Sequence, residues 1–258
     1  GGPGEVAERA GLARDTVRAL LRGGGDAASL RRVAEVLDLH ADSLAAMAEG
    51  AWYPDVTPPA GLRCFTTPFP VPGYEAMTAN NYLVWKPGSG EAVLFDTGTS
   101  AEPVLEALRA EGLRLAALFL THTHRDHIAA FEALREAVTI PEIRAPEAEP
   151  FDDALPVRHG DTFARGGLTL EARLTDGHSR GGTSYVLEGL DRKVAVAGDA
   201  LFCLSMGGAS GDYARALANN REQLLSLPEE TLVCPGHGPM TTVGEERARN
   251  PFFPEYKT

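Results

Sequence analysis

The sequence has few of the residues that stabilise small secreted proteins. Its 258 residues include only three cysteines, Cys64, Cys203 and Cys234, and none of them has CxxC spacing. An odd number of scattered cysteines argues against a disulfide scaffold and against a cage of thiolate metal ligands. We therefore predict a reducing compartment, the cytoplasm, and interpret Cys203 and Cys234 as structural residues.

Long apolar runs and an excess of basic residues are also absent. The longest apolar run, Leu115 to Leu120, is far shorter than the roughly 20 residues that cross a bilayer, and the N-terminus does not resemble a signal peptide. We predict no membrane partner. The 24 Lys and Arg residues stand against 36 Asp and Glu residues, a net charge of -12, which disfavours broad adhesion to nucleic acid.

The composition predicts two domains. Residues 1–50 carry apolar side chains at helical spacing, with breaks at Gly11, at residues 23–26 and around residues 39–42, so we expect four short helices. Prolines then crowd the stretch that follows, which predicts a linker over residues 51–61 and an irregular first strand. Residues 62–258 form the second predicted domain.

The second domain shows strands and helices in alternation, a pattern typical of mixed α and β folds. Strands are predicted at residues 82–85, 92–96, 115–121, 169–174, 183–187, 193–197 and 231–234, and helices at residues 103–111 and 213–226.

Three of the seven histidines lie in one hexapeptide directly after the predicted strand at residues 115–121. His122 and His124 are two residues apart, so they can project to the same side, and a turn can bring Asp126 and His127 to a neighbouring point. Downstream, three glycine-containing turns after strands each place one more ligand-type residue. These residues are His178, Asp199 and His237. His40 and His159 match no motif, and we interpret both as ordinary surface residues.

Together these residues resemble, in order, the metal-binding pattern of the metallo-β-lactamase superfamily. Asp96-Thr97-Gly98 resembles the aspartate-containing turn that usually precedes it, and the similarity runs from about residue 62 to the C-terminus. The resemblance implies an α+β fold, an αββα sandwich, here preceded by a small all-α domain. The tail, from Leu227-Pro228 through residues 234–239 to Asn250-Pro251, is similar to the glyoxalase II branch.

The resemblance implies two divalent metal ions, zinc in the first place, with iron or manganese also compatible. His122, His124 and His178 would hold one ion, Asp126, His127 and His237 the second, and Asp199 would bridge them. Two ions of this kind lower the pKa of a shared water, which implies a bridging hydroxide as the nucleophile on a carbonyl carbon. Asp126 and Asp199 are the predicted catalytic carboxylates, and Asp96 is expected to orient a ligand from behind.

Hydrolysis of a thioester, as in glyoxalase II, is the predicted reaction on a small-molecule substrate. Arg125 and Arg180 each lie within two residues of a predicted ligand and suggest a positive rim for an anionic thioester. Residues 202–209 differ from the Gly-Arg segment that usually follows the bridging aspartate. Two relatives in the same superfamily therefore remain open: mononuclear iron persulfide dioxygenases and lactonases.

Residues 6–21 resemble the helix-turn-helix of the Cro and phage-repressor type. This resemblance would present Arg14, Thr16 and Arg18 to a major groove, although the helix that usually comes first has no counterpart before Gly1. Residues 1–50 hold six arginines and eight acidic residues, whereas DNA-binding faces usually have a basic excess. A DNA-binding regulator with a metabolite-sensing domain therefore competes with a helical module for packing or homodimerisation.

Overall fold

The computed structural model describes residues 2–209 and 212–257. Four short helices open the chain, as predicted: α1 (Pro3–Ala10), α2 (Arg14–Leu20), α3 (Ala27–Val36) and α4 (Ala41–Ala48). Gly11 ends α1 with φ 60°, a left-handed conformation that suits glycine. The Asp26 carboxylate accepts a hydrogen bond from the Ser29 amide and caps α3.

The first three helices share a small apolar core, and the helices begin and end near the glycine and aspartate breaks in the sequence. The core consists of buried aliphatic side chains: Val6, Ala7, Ala10, Val17 and Val33. The N-terminal region is therefore a small helical unit. Its resemblance to a helix-turn-helix stays a prediction.

Two six-stranded sheets form the rest of the fold, with a short two-stranded hairpin beside them. The first sheet has the order β1 (Leu62–Pro68), β2 (Thr78–Val84), β3 (Glu91–Phe95), β4 (Arg114–Phe119), β5 (Ile143–Pro146) and β6 (Leu155–Val157). Six further strands follow in the chain. They are β7 (Thr162–Arg165), β8 (Leu168–Leu174), β9 (Thr183–Glu188), β10 (Val194–Gly198), and β11 (Leu201–Phe202) and β12 (Ser205–Met206), which form the hairpin. With β13 (Leu232–Pro235) and β14 (Thr241–Thr242), the second sheet has the order β14-β13-β10-β9-β8-β7.

Helices cover the outer faces of the two sheets. They are α5 (Glu102–Glu111), α6 (Arg125–Ile128), α7 (Phe131–Ala137), α8 (Tyr213–Asn219) and α9 (Val243–Arg249), with a π-helical turn at Asn220–Leu224 and a 3-10 turn at Pro254–Tyr256. Side chains alternate along each strand, as β geometry requires. On β3, Val93 and Phe95 join the core between the sheets, whereas Ala92 and Leu94 join the core under the helices. The result is a four-layered α+β sandwich, as expected.

Several element boundaries differ from the predictions. Strand β2 begins at Thr78, whereas the prediction began it at residue 82. The prediction missed the start because Asn80 and Asn81 are polar and yet lie buried in the sheet. The predicted helix over residues 213–226 is α8 followed by the π-helical turn. In that turn the buried Asn220 side chain donates to the Ala200 carbonyl at 2.8 Å.

The N-terminal helices contact the sandwich beside α9. The His40 amide donates to the Pro251 carbonyl at 2.8 Å, and the Arg249 guanidinium lies 4.9 Å from the centroid of the Trp52 ring. His40 is half-buried, and its Nδ1 atom also accepts from the Ser43 amide and caps α4, a structural role that the sequence did not indicate. Within the described residues, no helix is long and apolar enough to cross a membrane.

Candidate metal centre

Loops that follow strands of both sheets bring the seven predicted ligand residues together. His122, His124, Asp126 and His127 follow β4 of the first sheet. The other three follow β8, β10 and β13 of the second sheet, namely His178, Asp199 and His237. The structure therefore builds one cluster at the edge where the two sheets meet.

The cluster contains three overlapping groups whose ligand atoms lie within 4.8 Å of one another: His122 with His124 and His178, His122 with His127 and Asp199, and Asp126 with His127 and His237. In the first group the His178 Nε2 atom is 3.1 Å from the His124 Nδ1 atom. In the third group the His237 Nε2 atom is 3.2 Å from the Asp126 Oδ2 atom.

Asp199 lies between these groups. Its Oδ2 atom is 3.3 Å from His178 Nε2, 3.2 Å from His237 Nε2 and 4.0 Å from His122 Nε2. Its Oδ1 atom is 3.3 Å from His127 Nε2. One carboxylate thus faces imidazoles of both halves of the cluster, which is the arrangement that a bridging ligand requires.

Four of the five imidazoles are held from behind by an oxygen atom at Nδ1. The partners are Thr121 Oγ1 for His122 at 3.0 Å, Asp96 Oδ2 for His127 at 2.8 Å, Gly208 O for His178 at 2.9 Å and Thr78 O for His237 at 2.6 Å. Such contacts are typical of metal-binding histidines, because they fix the ring and leave the Nε2 lone pair for the ion.

Asp96 supports the cluster through hydrogen bonds and does not belong to its ligand groups. It is buried, and its carboxylate accepts hydrogen bonds from the Thr121 amide and hydroxyl, both at 2.8 Å, in addition to His127. Its φ of 56° is unusual for a residue other than glycine. A backbone strained in this way persists where the surrounding contacts fix it, which agrees with three hydrogen bonds to one side chain.

The charges of the cluster suit cation binding. Burial opposes ionisation of Asp199, but the neighbouring imidazoles of His127 and His237 hold its pKa well below the ordinary value. Burial and the neighbouring imidazoles, His127 first among them, lower the pKa of His122, whereas for His237 the carboxylates of Asp126 and Asp199 outweigh burial and raise the pKa to about 10. The carboxylates are therefore ionised, the form in which they bind metals.

The residues present fit a pair of divalent cations. His122 Nε2, His127 Nε2 and Asp199 Oδ1 are buried, and none of the three has a hydrogen-bond partner among the described residues. Buried polar atoms are rarely left unpaired, so these atoms require another partner. Gly236 also keeps the space open, because a Cβ atom there would lie 2.1 Å from Asp199 Oδ1. Imidazole nitrogens and carboxylate oxygens are the donors that zinc, iron and manganese accept.

A cavity of about 470 Å³ adjoins the cluster and is lined by His124 and His178. Arg180 lines this cavity, is exposed and has no hydrogen bond or ion pair within the described residues, whereas Arg215 beside it pairs with Asp176 at 2.6 Å. Arg125 is exposed on α6 and does not line the cavity. Of the two predicted rim arginines, the structure thus places one beside the cavity.

The predicted DNA contacts lie on α2. Arg14 and Arg18 are exposed and Thr16 is half-buried. Arg18 pairs with Asp15 at 3.2 Å on the same helix. None of the three residues belongs to the ligand groups of the metal cluster.

Sequence reasoning missed several residues that hold the ligand loops. The Glu149 carboxylate accepts hydrogen bonds from the Thr123 amide at 2.8 Å and from the Gly181 amide at 2.7 Å, and so ties two ligand loops together. Nothing near Glu149 in the sequence indicates this role. Thr121 and Gly236 could have been found, because each directly precedes a predicted ligand.

The fold and the cluster are typical of metal-dependent enzymes of the metallo-beta-lactamase type, and the family comparison supports this class. The family model for the metallo-beta-lactamase superfamily matches residues 75–237, which is more than half of the chain. The chain belongs to this superfamily.

Three similar proteins illustrate its range. A probable metallo-hydrolase of Bacillus subtilis is 33% identical over 63% of this chain and 87% of its own length. A hydroxyacylglutathione hydrolase of Xanthomonas campestris is 37% identical over 57% of this chain, and the match spans 56% of that enzyme. The solved structure of TTHA1623 in a di-iron-bound form is 30% identical with a TM-score of 0.58, covering 72% of this chain and 98% of that protein.

Proposed function

We propose that the chain is a binuclear metal-dependent hydrolase that cleaves a thioester of the hydroxyacylglutathione type. The observation that carries the proposal is the position of Asp199, whose two carboxylate oxygens face imidazoles of both ligand groups. The similarity to a hydroxyacylglutathione hydrolase supports the substrate class, and the di-iron form of a 30% identical structure supports two ions.

In this proposal His122, His124 and His178 hold one ion and Asp126, His127 and His237 the other, with Asp199 shared. When bound, the ions supply a hydroxide nucleophile at neutral pH and stabilise negative charge on the carbonyl oxygen of the substrate. Asp96 fixes the tautomer of His127, because its carboxylate accepts the proton on Nδ1. Zinc is the first expectation, and iron or manganese suits the same donors.

The cavity beside His124 and His178 is the proposed substrate site. Arg180 lines this cavity, and no carboxylate of the described residues pairs with it, so we assign it to an anionic group of the thioester. Arg125 does not line this cavity and receives no such role.

For the N-terminal helices we propose packing on the hydrolase domain rather than DNA binding. His40 and Trp52 contact the segment that includes Arg249 and Pro251. Four of the six arginines of residues 1–50 are engaged within the unit: Arg9, Arg18, Arg31 and Arg32. An arginine held by a carboxylate or a carbonyl is less available to a phosphate.

Elemental analysis of protein purified without added metal or chelator tests the proposal first. We expect close to two ions per chain, and release of thiol from a hydroxyacylglutathione thioester that an Asp199→Asn variant does not catalyse. About one iron per chain, with oxygen consumption on a persulfide, would instead indicate a dioxygenase. Turnover of lactones alone would indicate a lactonase, and no metal uptake at all would refute the metal site.

A further inference from the structure

A buried carboxylate outside the metal cluster holds the β11–β12 hairpin, and this hairpin covers the cluster. Glu246 on α9 has an exposed fraction of 0%. Its Oε2 atom accepts hydrogen bonds from the Leu204 amide at 2.9 Å and from Asn250 Nδ2 at 2.8 Å, and its Oε1 atom accepts from Thr241 at 2.8 Å. Burying a carboxylate fully costs free energy unless hydrogen bonds such as these replace its contacts with water.

Together with Glu246, the fully buried Asn250 forms a clamp on this hairpin. The Asn250 Nδ2 group donates to the Ser205 carbonyl at 2.9 Å. Glu246 and Asn250 therefore bind the backbone of two consecutive residues, the amide of Leu204 in the turn of the β11–β12 hairpin and the carbonyl of Ser205 at the start of β12. Leu204 in this turn has a φ of 59°, in the left-handed region that a leucine seldom adopts. The turn is thus held in a conformation that it would not keep unaided.

The hairpin and the residues that follow it reach the metal cluster at two points. The Phe202 ring packs edge-on against the His237 ring at 5.5 Å between centroids. After the hairpin, Gly208 O lies 2.9 Å from His178 Nδ1. At Gly207 a Cβ atom would lie 2.9 Å from that same nitrogen and 1.9 Å from Asp199 O, so the backbone passes directly over the ligands.

We propose that Glu246 and Asn250 are positioning residues for the metal centre. They hold the turn of the hairpin, and the hairpin in turn orients His237 through Phe202 and His178 through the carbonyl of Gly208. Neither residue touches the cluster itself. The inference rests on the metal centre of the proposed function but not on the identity of its substrate.

The test compares Glu246→Gln and Asn250→Ala with the wild type, each in the whole 258-residue chain. Gln keeps the volume but has one acceptor oxygen for the three groups that donate to the carboxylate, which weakens the contacts, and Asn250→Ala removes the hydrogen bonds to Glu246 and Ser205 altogether. We expect amide hydrogen exchange over residues 201–208 to rise at least tenfold, and zinc affinity, measured by competition with a chromophoric chelator, to fall about tenfold. The d–d absorption of the cobalt-substituted protein should shift in parallel.

Glu245→Gln is the matched control, since Glu245 is the neighbouring acid on α9 and pairs with Arg249 at the surface. It should change neither exchange nor zinc affinity. Leu204→Gly combined with Glu246→Gln should recover part of the exchange protection and part of the zinc affinity that Glu246→Gln loses, because glycine adopts the left-handed conformation without strain. Zinc affinity and cobalt absorption that stay unchanged in both clamp variants would overturn the proposal. A wild type that binds no metal would instead refute the metal centre.

Discussion

At the scale of single residues, the hydroxyl of Thr121 decides which nitrogen of His122 can bind a metal. A hydroxyl has one proton, and Thr121 donates it to the Asp96 carboxylate at 2.8 Å. Its oxygen can therefore only accept the proton of His122 Nδ1, 3.0 Å away, which leaves the Nε2 lone pair directed into the cluster.

Thr121→Val should therefore weaken zinc binding by about 10- to 100-fold, because the tautomer of His122 is no longer fixed. Thr121→Ser keeps the hydroxyl and should bind zinc nearly as the wild type does. Chelator competition measures both constants. Equal affinities for the valine and serine variants would show that the hydroxyl does not set the tautomer.

Arg180 is a second residue whose role can be tested by charge. Arg180→Glu places a negative charge in the cavity beside His124 and His178, so we expect KM for an anionic thioester to rise about tenfold while kcat changes little. Arg125→Glu is the control, since Arg125 does not line the cavity. An Arg180 variant with the KM of the wild type would remove Arg180 from the substrate site.

At the scale of elements, the attachment of α9 to the hairpin should depend on pH. Burial raises the pKa of Glu246 from 4.5 to about 7, despite hydrogen bonds from Thr241 and Asn250. Below pH 4.5 the carboxyl group is protonated in both the folded and the unfolded state. As the pH rises towards 7 and beyond, the unfolded state loses the proton more readily, so the contribution of this group to folding stability decreases.

The expected decrease is about 2 to 3 kcal/mol between roughly pH 5 and pH 8, from a shift of about 2.5 pKa units. Urea unfolding of metal-free protein measures it as the stability of the wild type relative to Glu246→Gln, which cannot ionise. Glu245→Gln should track the wild type at both pH values. A wild type whose stability relative to Glu246→Gln is independent of pH would contradict the raised pKa.

The elements also show where sequence reasoning succeeds. Strand β4 and the hexapeptide after it were predictable because a buried apolar run ends at Leu120, two residues before His122. The start of β2 was not, since Asn80 is polar and becomes a buried strand residue only through its hydrogen bonds to Pro235 and Gly238. The short hairpin has no periodicity to detect, and its role depends on Glu246, more than 40 positions away in the chain.

The candidate site likewise contains residues that the sequence predicts and residues that only the structure reveals. The ligand-type residues are recognisable because each follows a strand within a short motif, whereas their supports lie on other elements. Glu149 joins the loop after β4 to the loop after β8 through the amides of Thr123 and Gly181, and Gly208 contacts His178 from the segment after β12. A contact of this kind has no local signature, so the structure is needed to find it.

At the scale of the whole molecule, charge bears on the role of the N-terminal helices. The net charge of -12 opposes association with a polyanion, and Arg18 on α2 is paired with Asp15. We expect no retained fragment in a gel shift over random genomic DNA at low salt. A specific shifted band that Arg14→Ala removes would instead support the helix-turn-helix interpretation.

Metal binding should also stabilise the molecule as a whole, because the ligand residues come from both sheets. His122, His124, Asp126 and His127 follow a strand of the first sheet, whereas His178, Asp199 and His237 follow strands of the second. Ions bound between these loops would join the sheets, and the unfolded chain cannot present the same ligands together. Each ion present at about a thousand times its Kd would add about 4 kcal/mol to the free energy of unfolding.

Removal of the metal with a chelator should therefore lower Tm by several degrees, and readdition of zinc should restore it. Asp199→Asn removes the carboxylate between the two ligand groups, so its Tm should respond much less to zinc. Glu245→Gln, on the surface of α9, should respond as the wild type does. If the wild type unfolds at the same temperature with and without zinc, then the cluster does not join the two sheets through metal ions.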